Sequence, residues 1–143
     1  MFGSFPMLAV PLAAYNVLAF FSQDGQAGAN LPGRLVQPTG WNQLSSGAGW
    51  SPTLADLVLA LAIAAFVIDL VKLFIAGKTN AATHIWAALV LFCCAVEFLL
   101  LPAFGTSTFA LISLMAFLSV VAGLLFAVLA HARGPARRVR SEP

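Results

Sequence analysis

Four long apolar stretches, at residues 5–21, 54–75, 82–101 and 109–130, constrain this chain more than any other feature in it. A bilayer's hydrocarbon core is about 30 Å thick, and a helix of about 20 mostly apolar residues crosses it. The last three stretches meet that length. The first meets it only if extended back to Phe2. A soluble fold could not cover so much apolar surface, because small domains leave a large share of their side chains facing water. Composition agrees: 61% of the 143 residues are apolar and 8% charged, against about 45–50% and about 25% in soluble domains. The expected fold is therefore all-α and integral to a membrane, one transmembrane domain over residues 1–143. Its four helices should form an antiparallel bundle with a long first outer loop at 22–53 and a basic tail at 131–143.

Terminus signals support these limits. Ser51-Pro52 reads as a capping hydroxyl before a first-turn proline, and Asp56 then falls where the helix dipole favours an acid. Gly77 stops the second helix, Thr79 or Asn80 caps the third, Pro102 and Gly105 end it, and Ser107 caps the fourth. In the first stretch Pro6 suits an opening turn, whereas Pro11 should kink the helix. Ala27-Gly-Ala29 resembles a signal-cleavage site, but no basic residue precedes the stretch, so it is expected to be retained.

Basic residues set the orientation. Lys72 and Lys78 flank the turn between the second and third helices, and Arg133, Arg137, Arg138 and Arg140 follow the fourth. Those places share one side, which predicts cytoplasmic N- and C-termini in the cell (inner) membrane. The outer loop carries Arg34 alone and is rich in Gly, Gln, Asn, Ser and Pro. Trp41 and Trp50 within it are expected to anchor at the membrane interface, making the loop a partly ordered lid on the bundle.

Ionisable groups inside spans are costly and rare, so each is a functional candidate. Asp69 and Lys72 stand three apart on one helix, close enough to pair, and Lys72 can snorkel toward water. His84 opens the third helix on the same side and is expected to face headgroups. Glu97 is the sharpest feature, a carboxyl in an apolar run with no basic residue within a turn. It is expected to face protein and to be cheapest in its neutral form, with Asn16 or Asp56 at similar depth to share its proton. Ser119, Gly123 and Ala127 recur at four-residue spacing and should let the fourth helix pack closely; Ala60 and Ala64 make a weaker patch on the second.

Cys93 and Cys94 are adjacent in an apolar run, with neither disulfide nor metal-ligand spacing, and behave as small hydrophobes. No phosphate loop, nucleophile elbow or haem motif occurs, so no enzyme, cofactor or metal is expected. No characterised family is recognised in these residues. Two readings follow. The first is a non-enzymatic protein acting by assembly, as a homo-oligomer or an accessory subunit of a larger inner-membrane complex. Its partners are then the lipid bilayer and other membrane subunits or copies of itself, with no nucleic acid. The alternative is a small proton or cation channel or carrier using Glu97, Asp56 and Asp69.

Overall fold

A computed structural model describes residues 5–21, 33, 35–39, 42–43, 45–76 and 81–133. Among these lie four α-helices: α1 (Ala9–Phe21), α2 (Leu54–Ala76), α3 (Ala81–Leu100) and α4 (Ser107–Arg133). Three, α2, α3 and α4, are long and apolar enough to cross a membrane. At 1.5 Å per residue they are about 34, 30 and 40 Å long. The first helix differs. Its 13 residues reach about 20 Å, less than the expected span at 5–21 and short of a bilayer core.

The distribution of apolar groups is inside-out relative to a soluble protein. In the most apolar 18 residues of α3 only 11% are buried, and large side chains such as Ile85, Phe92, Leu99, Leu124 and Val128 face outward. Exposed apolar surface on this scale needs an apolar surrounding phase.

Packing centres on α4, which lies against both α2 and α3; α1 lies against α2 and touches α4. Among the described residues α2 and α3 make at most slight contact with each other. The core concentrates where the end of α1 meets the connection between α3 and α4. Tyr15, Phe104 and Phe109 are there, essentially fully buried, with ring centroids 4.9–5.5 Å apart. Phe98 stacks on Phe109 at 6.4 Å. A single 3-10 turn, Pro102–Phe104, makes the connection and points Ala103 and Phe104 inward. Farther along, Phe74 meets Phe126 edge-on at 4.8 Å and joins α2 to α4.

Local chemistry explains the helix starts, with three corrections to the sequence reading. The cap of α2 is Thr53 rather than Ser51. Thr53 N donates to Asp56 Oδ2 at 2.9 Å and Asp56 N donates to Thr53 Oγ1 at 3.3 Å, a reciprocal capping box that Ser51 lacks the spacing to form. The cap of α4 is Thr106 rather than Ser107: its Oγ1 accepts from Phe109 N at 3.2 Å and its carbonyl from Ala110 N at 2.9 Å. Pro11 costs α1 no hydrogen bond, because it falls in the first turn, where backbone N–H groups have no helical partner.

The described part of the connection between α1 and α2 includes a two-stranded antiparallel ladder, β1 (Asn42–Gln43) with β2 (Gly49–Trp50). Its turn passes through Gly47 at φ +80°, a left-handed conformation that suits glycine. Thr39 N and Oγ1 both donate to Pro52 O, at 2.8 and 2.7 Å, tying this segment to the start of α2. Leu35 reaches into the bundle core. Trp50 is exposed. Trp41, Arg34, Gly77, Lys78, Thr79, Asn80, Arg137, Arg138 and Arg140 lie outside the described residues, as does the proposed extension to Phe2.

Candidate functional site

The polar residues of the helices form three groups, each assembled by a different local device. The first holds the start of α1. Helix N-termini present backbone N–H groups with no intrahelical acceptor, and a carboxylate there satisfies both the hydrogen bonds and the dipole. Here the carboxylate comes from another helix. Asp69 Oδ1 accepts from Met7 N at 2.9 Å and Asp69 Oδ2 accepts from Leu8 N at 3.1 Å. Lys72 lies 3.4 Å from Asp69 Oδ1 and donates to Phe5 O at 3.3 Å, so the pair grips both backbone polarities of the incoming chain. Its members are part-exposed, with side chains 32% and 14% accessible for Lys72 and Asp69, so Lys72 keeps contact with the surface while Asp69 is mostly enclosed.

The second group lies at the middle of α1. Asn16 Nδ2 donates to Glu97 Oε1 at 3.0 Å and to Glu97 Oε2 at 3.2 Å, and to Leu12 O at 3.1 Å. One amide nitrogen thus bridges α1 and α3. One residue earlier the Tyr15 hydroxyl pairs with Thr106 Oγ1 and donates to Ala103 O at 3.4 Å. Asp56 does not join Glu97. Its carboxylate is exposed and spent on its own helix start, accepting from Thr53 N and from Thr53 Oγ1 at 2.7 Å. Glu97's partner is the amide and not a second carboxyl.

The third group is between α3 and α4. The ring of His84 lies directly over Gly123, where a Cβ would come within 3.0 Å of its Cε1 and Nδ1. Gly123 is buried because the ring needs that space. His84 was expected among headgroups. Instead its Nε2 is buried without a hydrogen-bond partner among the described residues, as is the Oγ of Ser119, one turn from Gly123 on α4. Ala127 is half-buried. The missing side chain at Gly123 therefore leaves the space that the imidazole occupies.

Ala60 and Ala64, expected to be a packing patch, are exposed. The inward face of α2 carries Val58, Ala62 and Ala65. That helix is apolar on all sides, so alanine spacing does not distinguish its two faces. Cys94 is fully buried and Cys93 half-buried, both as free thiols. Arg133 is the last residue of α4. No group of three or more His, Cys, Asp or Glu side chains converges among the described residues.

Sequence reading missed the reach of Asp69 to Met7 and Leu8, the Tyr15–Thr106 pair and the insertion of Leu35. The one available signal for the second was that Tyr15 is the chain's only tyrosine, within an apolar helix; a buried phenol needs a partner. The three long apolar helices and their outward side chains are compatible with a multi-pass helical membrane protein. Neither a protein family, nor a curated protein, nor a solved structure matches the chain.

Proposed function

We propose that this chain is a non-enzymatic multi-pass protein of the cell (inner) membrane that works by assembly, as a homo-oligomer or as an accessory subunit of a larger membrane complex. The observation that carries the reading is the use made of the three carboxylates among the described residues. Asp69 is bonded to the start of α1, Glu97 to Asn16, and Asp56 to Thr53, so each is committed to a bond within the chain. Conduction through carboxylates needs them along a shared watery path, and Asp56 and Glu97 are not brought together. The outward apolar faces of α2, α3 and α4 offer surface for lipid or for other helices.

The proposed arrangement is an antiparallel bundle with both termini cytoplasmic. Asp69, late in α2, meets the start of α1, whereas Tyr15 and Asn16, farther along at the middle of α1, meet the end of α3 and the connection that follows. Alternating direction accommodates all three contacts. Lys72, Lys78 and the arginine tail then share the cytoplasmic side, and Trp41 and Trp50 anchor the opposite interface.

Purification in mild detergent, with native mass and composition of the particle measured, tests the function. A defined oligomer or a stoichiometric complex with another membrane protein is expected. A lone monomer that conducts protons or cations in liposomes would overturn the reading.

A further inference from the structure

The first helix differs from the others in length, in the position of its start and in how it is held. From Asp69 to the end of α2 at Ala76 the helix runs on for about 10 Å, so α1 starts well within the length of its neighbour. A helix start at that depth would leave N–H groups without water, and each unsatisfied group in hydrocarbon is expensive. Asp69 supplies two acceptors to those groups, and Lys72 supplies a donor to the Phe5 carbonyl just before them. At its middle Asn16 holds Glu97 and Tyr15 holds Thr106. Along and just before α1, Leu8, Leu12, Tyr15 and Ala19 are buried, while Val10, Val17 and Phe20 face outward. The three long helices have their own connection through α4, which packs on both α2 and α3 without α1.

We propose that α1 is a strap: a helix too short to cross a bilayer by itself, seated by the other three, latched at its start by Asp69 and Lys72 and just past its middle by Glu97, and able to leave its seat while α2, α3 and α4 stay packed. Asp69 is the positioning residue. Its two oxygens set the depth at which α1 begins, and Asn16 sets the register against α3. Both latches are hydrogen bonds made by single side chains, so one substitution removes each of them without touching the packing of α4 on α2 and α3. This inference concerns movement within the chain and holds whether the protein assembles or conducts.

Paired spin labels on the full chain in nanodiscs test it, in a background carrying Cys93→Ala and Cys94→Ala. One pair, Val10→Cys with Leu125→Cys, reads α1 against α4; the reference pair, Val67→Cys with Leu125→Cys, reads α2 against α4, and all three label sites are exposed. Both distance distributions should be narrow before any latch is cut. Asp69→Leu should broaden the α1 distribution and add a longer component, and Asp69→Leu with Asn16→Leu should make that component dominant. The reference pair should not change. Asp69→Asn, which keeps one acceptor, should fall between wild type and Asp69→Leu. An unchanged α1 distribution in the double variant would overturn the strap, and so would simultaneous broadening of both pairs, which would mean that the four helices come apart as one unit.

Discussion

The two ends of the bundle are built by different physics. Where α1 ends, Tyr15, Phe104 and Phe109 fill the interior with rings about 5 Å apart, and the polar groups there, Thr106, Asn16 and Glu97, all have partners. Where α1 begins, small residues and charge do the work: His84 in the groove over Gly123, and Asp69 with Lys72 around a helix start. Lipid tails are as apolar as leucine, so burial alone drives helices together weakly in a membrane and close packing and hydrogen bonds decide. The first end relies on packing and the second on bonds. The second also retains two buried polar atoms, His84 Nε2 and Ser119 Oγ, without partners among the described residues.

If that division holds, the largest loss should come from the aromatic end. Phe109→Ala should cost about 3 kcal/mol, the low end of the usual range for phenylalanine truncation because lipid supplies part of the apolar environment. Unfolding by SDS in mixed micelles measures it. Asp69→Leu should follow, at about 2 kcal/mol, from the lost trans cap and the unpaired Lys72. A greater loss from Asp69→Leu than from Phe109→Ala would reverse the assignment of the two ends.

Gly123→Ala sharpens the comparison with a sign. The new methyl would press on the His84 ring at 3.0 Å, a strain of about 1–2 kcal/mol, partly offset by alanine's advantage of about 1 kcal/mol in helix propensity. A net loss below about 1 kcal/mol is expected in the native background. With His84→Ala also present, Gly123→Ala should become stabilising, and additivity of the two changes would show that the ring does not need the glycine. Thr53→Ala should give a loss of about 1 kcal/mol, because it removes a cap at an exposed helix start and no part of the aromatic cluster.

How much of this was legible in the sequence depends on the range of the interaction. The three long helices were readable because an apolar stretch of bilayer length has few other uses. The Asp69–Lys72 pair was readable because it is local, three residues apart on one helix. The bond from Asp69 to Met7 and Leu8 spans more than 60 residues and depends on where α1 is seated, which periodicity does not encode. The caps moved by one or two residues because several hydroxyls crowd each start, and only hydrogen-bond geometry chooses between Ser51 and Thr53 or between Thr106 and Ser107. The exposed Ala60 and Ala64 show the limit most clearly: on a helix apolar all round, equally good small-residue spacings exist on both faces.

Glu97 is the residue on which the assembly and conduction readings part most directly, and the decisive measurement is flux and assembly state of three proteins side by side in liposomes: wild type, Glu97→Gln and Glu97→Leu. Glutamine keeps an acceptor for Asn16, whereas leucine removes it. Wild type and Glu97→Gln should form the same particle with no proton or cation flux above lipid alone, while Glu97→Leu should loosen the particle or its seat for α1. Robust flux through wild type that both substitutions abolish, with assembly intact in each, would contradict the assembly reading.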